Sequence, residues 1–274
     1  MKKTSLGARL LSAPYIVWAA IFIVVPLFIV VYYAFTDRSG AFSLSNITAL
    51  ADYKDTFIIS VWYSVIATVI TLVIAYPFAY ALSRFGANTQ RMMMLLVMLP
   101  MWMNLLIRTY SWMNILERNG IINNVLAGFG IEPLKMIGTP GAVILGMVYN
   151  YLPYMILPIY TVMSKLDITL LEAADDLGAN AFQRLRTLVI PLSMPGVISG
   201  ITMVFVPSVS TFYISQKLGG GKIMLIGDAI ERQIQQQYNY NLGASISLVL
   251  MVMILISMAI MNRFASDDAE RLVV

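Results

Sequence analysis

Three acidic residues in the second half of the chain, Glu172, Asp175 and Asp176, are spaced so that a helix would place them on one face. The opposite face would carry only small and aliphatic side chains: Leu170, Ala173, Ala174 and Leu177. Carboxylates on such a face can form ion pairs with a basic partner. The alanines would let another backbone come close. This spacing favours a docking surface over a catalytic site.

The predicted helix has its own start and stop signals. Thr169 stands three residues before Glu172, which is the spacing of a capping box. Gly178 stands where the end of a helix favours glycine, and Asn180 can cap a second helix. The segment 165–187 is therefore predicted to be a helix, a glycine bend and a second helix. The alternative is a plain connector in which Glu172 serves only its own helix.

The composition argues against an enzyme. The chain contains no cysteine and no histidine, which excludes a thiolate nucleophile and a histidine general base. We predict no metal site and no cofactor bound by this chain. Of its 274 residues, 59% are hydrophobic and 12% are charged, whereas a soluble domain carries roughly a quarter charged residues. The net charge of +4 fits basic residues at the ends of membrane spans, so we predict no nucleic-acid partner.

Six apolar segments position the docking segment, and each has roughly the 20 residues that cross a bilayer. They are Pro14–Phe35, Phe57–Leu82, Met92–Trp112, Gly141–Met163, Leu188–Phe212 and Leu242–Met261. Backbone groups in lipid must be satisfied within the segment, and long apolar runs do not fit the alternating strands of a barrel. We predict an all-α integral membrane protein with one domain over residues 1–274.

Basic residues predict the orientation, because they are enriched in cytoplasmic loops. With both termini in the cytoplasm, the inner segments carry ten of them: Lys2, Lys3, Arg9, Arg84, Arg91, Lys165, Arg184, Arg186, Arg263 and Arg271. The longer outer loops carry seven: Arg38, Lys54, Arg118, Lys135, Lys217, Lys222 and Arg232. This excess places the segment 165–187 in the cytoplasm.

Two features interrupt the apolar spans. Prolines lie inside several of them: Pro26, Pro77, Pro100, Pro153, Pro158 and Pro207. They indicate either kinked packing or helices broken around a translocation path. Arg108 is the one charge inside a predicted span. It either snorkels to the outer interface or takes part in gating or partner contact.

The segment 165–187 resembles the EAA motif of ABC-importer permeases. That motif has Glu-Ala-Ala, three residues, Gly, nine residues and then Ile-x-Leu-Pro. Here Glu172-Ala173-Ala174 is followed by Gly178, and Leu188-x-Ile190-Pro191 follows at the expected distance. The two differences exchange one aliphatic residue for another.

The resemblance implies a MetI-like permease fold with a cytoplasmic coupling helix, in a bacterial inner or plasma membrane. Its ATPase-coupling residues would be Glu172, Ala173, Ala174, Asp175 and Gly178. The implied partners are two cytoplasmic ATPase subunits that use ATP and Mg, a homologous second permease, and an extracellular or periplasmic substrate-binding protein. The chain itself would perform no bond chemistry.

Other segments resemble the spermidine/putrescine branch of these permeases. They are Leu99-Pro100, Leu106–Trp112, Asn119–Asn123, Phe212–Ile214, Leu218–Gly220, Leu225–Gly227 and Gly243–Ser247. A polyamine path would use aromatic faces, since ammonium groups bind them by cation–π contacts. The candidate path residues are Trp102, Tyr110, Trp112, Tyr149, Tyr154, Phe212 and Tyr213. An interfacial belt with core packing is the alternative for each of them.

Three acids of the outer loops, Glu117, Asp228 and Glu231, are candidates for contact with the binding protein or the entering cation. Solvated loop charge is the alternative.

Three other functions stay open at this point. The same machine could carry iron, thiamine or sulfate. An ion-coupled secondary transporter would need an intramembrane carboxylate, and the six predicted spans contain no Asp or Glu. A membrane-embedded enzyme would need a nucleophile and a base that converge within the spans, and the sequence shows no such pair.

Overall fold

A computed structural model describes the backbone of residues 14–271 and the side chains of residues 14–263. Lys2, Lys3, Arg9 and the Arg271 side chain, which entered the predicted orientation, lie outside the described residues. The main helices are α1 (Pro14–Ala34), α2 (Lys54–Ser83), α3 (Ala87–Trp102), α4 (Leu105–Leu116), α5 (Ile121–Gly128), α6 (Pro140–Met163), α7 (Ile168–Asp176), α8 (Ala181–Ser210), α9 (Tyr213–Leu218), α10 (Ile226–Glu231) and α11 (Tyr240–Arg271). Short turns of helix at Ser45–Thr48 and Ala49–Tyr53 precede α2.

The prediction of a helical membrane protein is confirmed. Five helical stretches within residues 14–271 are long and apolar enough to cross a bilayer: Pro14–Ala34, Ser45–Ser83, Pro140–Met163, Ala181–Ser210 and Tyr240–Arg263. A sixth candidate is the bent pair Ala87–Trp102 and Leu105–Gly128. Within the described residues, β-pairing is limited to one isolated antiparallel bridge between Thr36 and Phe42.

The predicted third span, Met92–Trp112, is wrong as one continuous helix. The chain bends by 91° between α3 and the helical stretch Leu105–Gly128 that follows it. Met103 is extended there, and the Asn104 side chain accepts the backbone N–H of Leu106 at 2.7 Å. Asn104 thus caps a new helix, because its short amide satisfies a donor that the broken helix leaves free. A hydropathy profile alone does not show that a new helix starts at Asn104.

The prolines do not break the other helices. Pro77 lies inside α2, Pro153 and Pro158 inside α6, and Pro207 inside α8. These four prolines therefore lie within continuous helices, and the broken-helix interpretation is wrong for them. The helix of the predicted fifth span also starts earlier than expected, at Ala181, through a π-helical turn at Leu185–Val189.

The described chain divides into two compact units. The first comprises residues 14–55 and 229–252. In it, the Asn241 Nδ2 group donates to the carbonyl oxygens of Thr36 at 2.8 Å and Tyr33 at 3.2 Å, and the Ser245 hydroxyl donates to the Ala34 carbonyl at 3.1 Å. These side chains donate to carbonyl groups at the end of α1, where the regular bonds of the helix stop.

The second unit comprises residues 56–228 and 253–271. The α6–α8 pair lies in its core and packs closely because α8 carries two glycines there. A Cβ atom at Gly196 would lie 2.8 Å from the Pro158 carbonyl oxygen, and one at Gly200 would lie 2.6 Å from the Met155 sulfur. Small residues at such contacts are what helix packing in lipid requires. The prediction of a single domain over residues 1–274 stays a prediction.

Substitution Gly196→Ala should loosen the α6–α8 pair. The added methyl meets backbone atoms, which cannot rotate away, so we expect a loss of about 1–3 kcal/mol. Thermal unfolding of the purified chain in detergent measures this loss. Gly141→Ala is the matched control, since a Cβ at Gly141 in α6 meets only the Thr139 hydroxyl at 3.9 Å. Equal unfolding temperatures of the two variants would contradict the packing account.

Candidate functional site

The segment that follows α6 forms a helical hairpin, which we call the coupling hairpin (Ile168–Arg184); it consists of α7 and the first turn of α8. Its first helix, α7, starts at Asp167, whose carboxylate accepts the backbone N–H of Thr169 at 3.0 Å. The predicted capping box of Thr169 and Glu172 is therefore wrong, because Thr169 lies inside the helix. The bond from Thr169 lowers the pKa of Asp167, so the cap is complete above the ordinary carboxyl pKa of about 4 and is lost in more acid solution.

The glycine bend is confirmed. Gly178 has a φ of +79°, in the left-handed region that favours glycine. The N–H of Gly178 donates to the Asp175 carbonyl at 2.9 Å, and the N–H of Ala179 donates to the Ala174 carbonyl at 3.0 Å. This pair of bonds is a Schellman motif, which satisfies the last carbonyls of α7 and reverses the chain.

The predicted cap at Asn180 is confirmed too. Asn180 and Gln183 exchange two bonds of 2.8 Å, each side chain accepting the other residue's backbone N–H. Across the bend, the Arg184 guanidinium forms an ion pair with the Asp175 carboxylate. Asp175, a predicted ATPase contact, thus already has a partner within its own hairpin, and the pair ties the two helices together.

Most of the apolar row that the spacing predicts on α7 is exposed. Leu177 is 89% exposed and Leu170 is 47% exposed. Leu171 packs against the core instead, beside Leu166 and Leu185. The positions of α6 and α8 decide which side chains of α7 face the core. The spacing of apolar residues within α7 does not specify that choice.

This orientation exposes a mixed surface, which we call the hairpin face: Glu172, Ala173, Asp176, Leu177 and Phe182. Phe182 is 69% exposed in the first turn of α8, Leu177 precedes the glycine bend, and each has a charged residue within two positions in the sequence. Large exposed apolar side chains with a polar rim are typical of a protein-binding site. Of the predicted coupling residues, Glu172 and Ala173 lie on this face, Ala174 is half-buried, and Gly178 forms the bend.

The predicted path aromatics come together in pairs. Tyr110 of α4 meets Tyr213 of α9 edge to face, with ring centres 6.3 Å apart. Trp112 meets Tyr149 at 5.3 Å in the same manner. Tyr154 pairs with Tyr151 of the same helix, α6, with ring centres 6.4 Å apart.

The two other predicted path aromatics, Trp102 and Phe212, are 72% and 43% exposed. Trp102 is the last residue of α3, and Phe212 precedes the first turn of α9.

One functional candidate was missed by the sequence reasoning. The Lys217 ammonium lies over the rings of Tyr110 and Tyr213, 5.2 Å and 5.6 Å from their centres. From the sequence, Lys217 was interpreted only as a basic residue of an outer loop. Its spacing of four from Tyr213 on a helix was the available signal.

The outer-loop acids differ in their surroundings. Glu117 is exposed. Asp228 is only 6% exposed and accepts the backbone N–H of Leu225 at 2.8 Å, so it is not a solvated loop charge. It stabilises the start of α10. Its contact with a binding protein or with the entering cation stays a prediction. Glu231 is half-buried and accepts from the Gln236 amide at 3.4 Å.

Arg108 does not snorkel to a surface. It is 8% exposed, and within the described part of the chain its Nε and Nη1 atoms have no hydrogen-bond partner. Desolvating a guanidinium without full compensation costs several kcal/mol. The gating or partner interpretation of Arg108 stays a prediction.

Comparison with known proteins identifies the chain's relatives. Residues 58–266 match the family model of the binding-protein-dependent transport system inner membrane component. The spermidine/putrescine transport system permease protein PotB of Haemophilus influenzae is 37% identical over 228 residues, which are 79% of each chain.

Two solved structures share the fold. One is a bacterial ABC transporter involved in the import of the acidic polysaccharide alginate, with a TM-score of 0.77, 15% identity and 94% of each chain covered. The other is a bacterial alginate ABC transporter in complex with an alginate pentasaccharide-bound periplasmic protein, with a TM-score of 0.76, 16% identity and coverage of 95% and 93%. At these identities the likeness shows the ABC-importer permease fold and nothing about cargo.

Substitution Arg108→Met should leave the chain as stable as before or more stable, by about 1–4 kcal/mol, because an apolar side chain of similar length removes the desolvated charge. Thermal unfolding of the purified chain in detergent checks this. A clear loss of stability would mean that Arg108 has an acceptor outside the described residues, such as a lipid phosphate.

Proposed function

The chain belongs to the family of binding-protein-dependent transport system inner membrane components, and from this premise we propose that it is the permease subunit of an ATP-driven importer of polyamines. The observation that carries the cargo is the likeness to a spermidine/putrescine permease over most of both chains. The aromatic pairs on α4, α6 and α9 suit such a cargo, because each ammonium of a polyamine can rest on a ring face.

The hairpin face is the proposed contact with a cytoplasmic ATPase. Glu172 and Asp176 offer carboxylates to basic residues, Ala173 lets the partner's backbone approach, and Leu177 with Phe182 supplies apolar area. The hairpin is joined to α6 at one end and continues into α8 at the other. A push on the face therefore reaches both helices of the packed pair, and ATP hydrolysis takes place in the partner.

The proposed assembly has further members. A homologous second permease would complete the path, and a periplasmic or extracellular binding protein would deliver the cargo. The proposed orientation has both termini and the coupling hairpin in the cytoplasm of a bacterial cell, with Glu117 on the side that receives the binding protein.

The cargo is tested by reconstituting the chain with candidate ATPase, second permease and binding protein in vesicles, and by measuring uptake of labelled spermidine and putrescine. We expect uptake that needs ATP and the binding protein. Uptake independent of ATP would overturn the ABC-importer proposal. ATP-dependent uptake of iron, thiamine or sulfate without polyamines would keep the machine and reject the cargo.

Substitution Glu172→Arg should reduce ATP-dependent uptake at least ten-fold, because like charges at a protein interface cost several kcal/mol. ATPase co-purification and vesicle uptake measure the effect at equal amounts of inserted chain. Glu132→Arg is the matched control, since Glu132 is also exposed but lies between α5 and α6. Normal uptake by the Glu172 variant would mean that this side chain is not part of the ATPase contact.

A further inference from the structure

Helix α9 has two faces with different tasks. Ile214 and Leu218 are fully buried in one core cluster of the second unit. They sit against Gly146 of α6, where an added Cβ would lie 2.8 Å from Ile214 and 2.5 Å from Leu218. This close fit fixes the rotation of α9 about its axis. As a result, Tyr213 and Lys217, which are four residues apart, point together to the side of α4 that carries Tyr110.

The three side chains form a cation site on the open side of α9. The Lys217 ammonium lies 5.2 Å from the Tyr110 ring centre and 5.6 Å from that of Tyr213. Both distances are within the ~6 Å at which a cation is attracted to a ring face. Tyr110 is 42% exposed, and Tyr213 and Lys217 are half-buried, so the site is open to other molecules.

The occupant has the chemistry of the proposed cargo. A lysine side chain is a primary ammonium at the end of a methylene chain, and so is each end of putrescine or spermidine. Two rings that hold the Lys217 ammonium at this geometry can hold a free alkylammonium in the same way.

We propose that Tyr110 and Tyr213 form an ammonium-binding station for the cargo and that Lys217 is its tethered occupant, which an incoming alkylammonium displaces. The cargo's part in this inference rests on the proposed function. Lys217 competes with the cargo for one site and, as a neighbouring positive charge, also repels it. Lys217 therefore sets the concentration of cargo at which the station becomes occupied.

The occupancy of the station is tested by chemical labelling of the full chain in detergent, which requires no transport. Lysine acylation is quantified by mass spectrometry, with exposed Lys54 as the internal reference. We expect Lys217 to react more slowly than Lys54 and to gain about two- to thirty-fold in rate with Tyr110→Leu or Tyr213→Leu, the range of a lost cation–π contact. Equal rates of Lys217 in all variants would overturn the station.

Displacement is tested in the same assay with N,N,N′,N′-tetramethylputrescine, a diammonium that acylating reagents do not consume. We expect it to raise the Lys217 rate in the wild-type chain and to leave the rate in Tyr110→Leu unchanged. No change in the wild-type chain at saturating diammonium would overturn the displacement.

Transport then links the station to the cargo. Lys217→Met keeps the apolar stem and removes the charge, so we expect a two- to thirty-fold lower KM for spermidine, and no such gain when Tyr110→Leu is present as well. Lys222→Met is the control, since Lys222 is an exposed lysine beyond α9. An unchanged KM in a chain that transports spermidine would overturn the inference. If the diammonium displaces Lys217 in the labelling assay but the chain does not transport spermidine, the result would support the station and reject the proposed cargo.

Discussion

The contact between α6 and α8 at Gly196 and Gly200 is the constraint on which the second unit depends. In lipid, apolar side chains gain nothing by leaving their solvent for one another, so close backbone approach and dispersion must hold helices together. Pro158 and Met155 of α6 fill the space that the two glycines leave open. The coupling hairpin consists of α7 and the first turn of α8, and the core that α6 and α8 form fixes, through Leu171, which side chains of α7 face inward.

The same principle recurs at the other end of α6. Gly146 admits Ile214 and Leu218, which fixes α9 and so places Tyr213 and Lys217 beside Tyr110. The break at Asn104 matters here too, because it gives α4 a direction of its own. One closely packed helix pair thus positions an exposed docking face at one end and an aromatic cation site at the other. A rigid connection of this kind suits a machine in which force at one site changes binding at a distant one.

The sequence predicted those parts of the site that local backbone chemistry decides. Gly178 and Asn180 end and start helices because a left-handed residue and a short amide satisfy free backbone groups, and the chain carries these signals openly. The predicted cap failed because Asp167 offered a competing carboxylate two residues before Thr169. Which row of α7 packs against the core could not be predicted, because α6 and α8 set the direction of that helix. The burial of Asp228 could not be predicted either, since it depends on packing around Leu225.

The proposed function depends most directly on the binding of a cytoplasmic ATPase to the hairpin face. The chain has no cysteine, so Ala173→Cys introduces a unique thiol on that face, and Ala127→Cys introduces one at an exposed alanine of α5. A short thiol-directed cross-linker is added to vesicles that contain the assembled transporter. We expect a covalent product with the ATPase subunit from position 173 and none from position 127. No product from position 173 in a complex that still transports would contradict it.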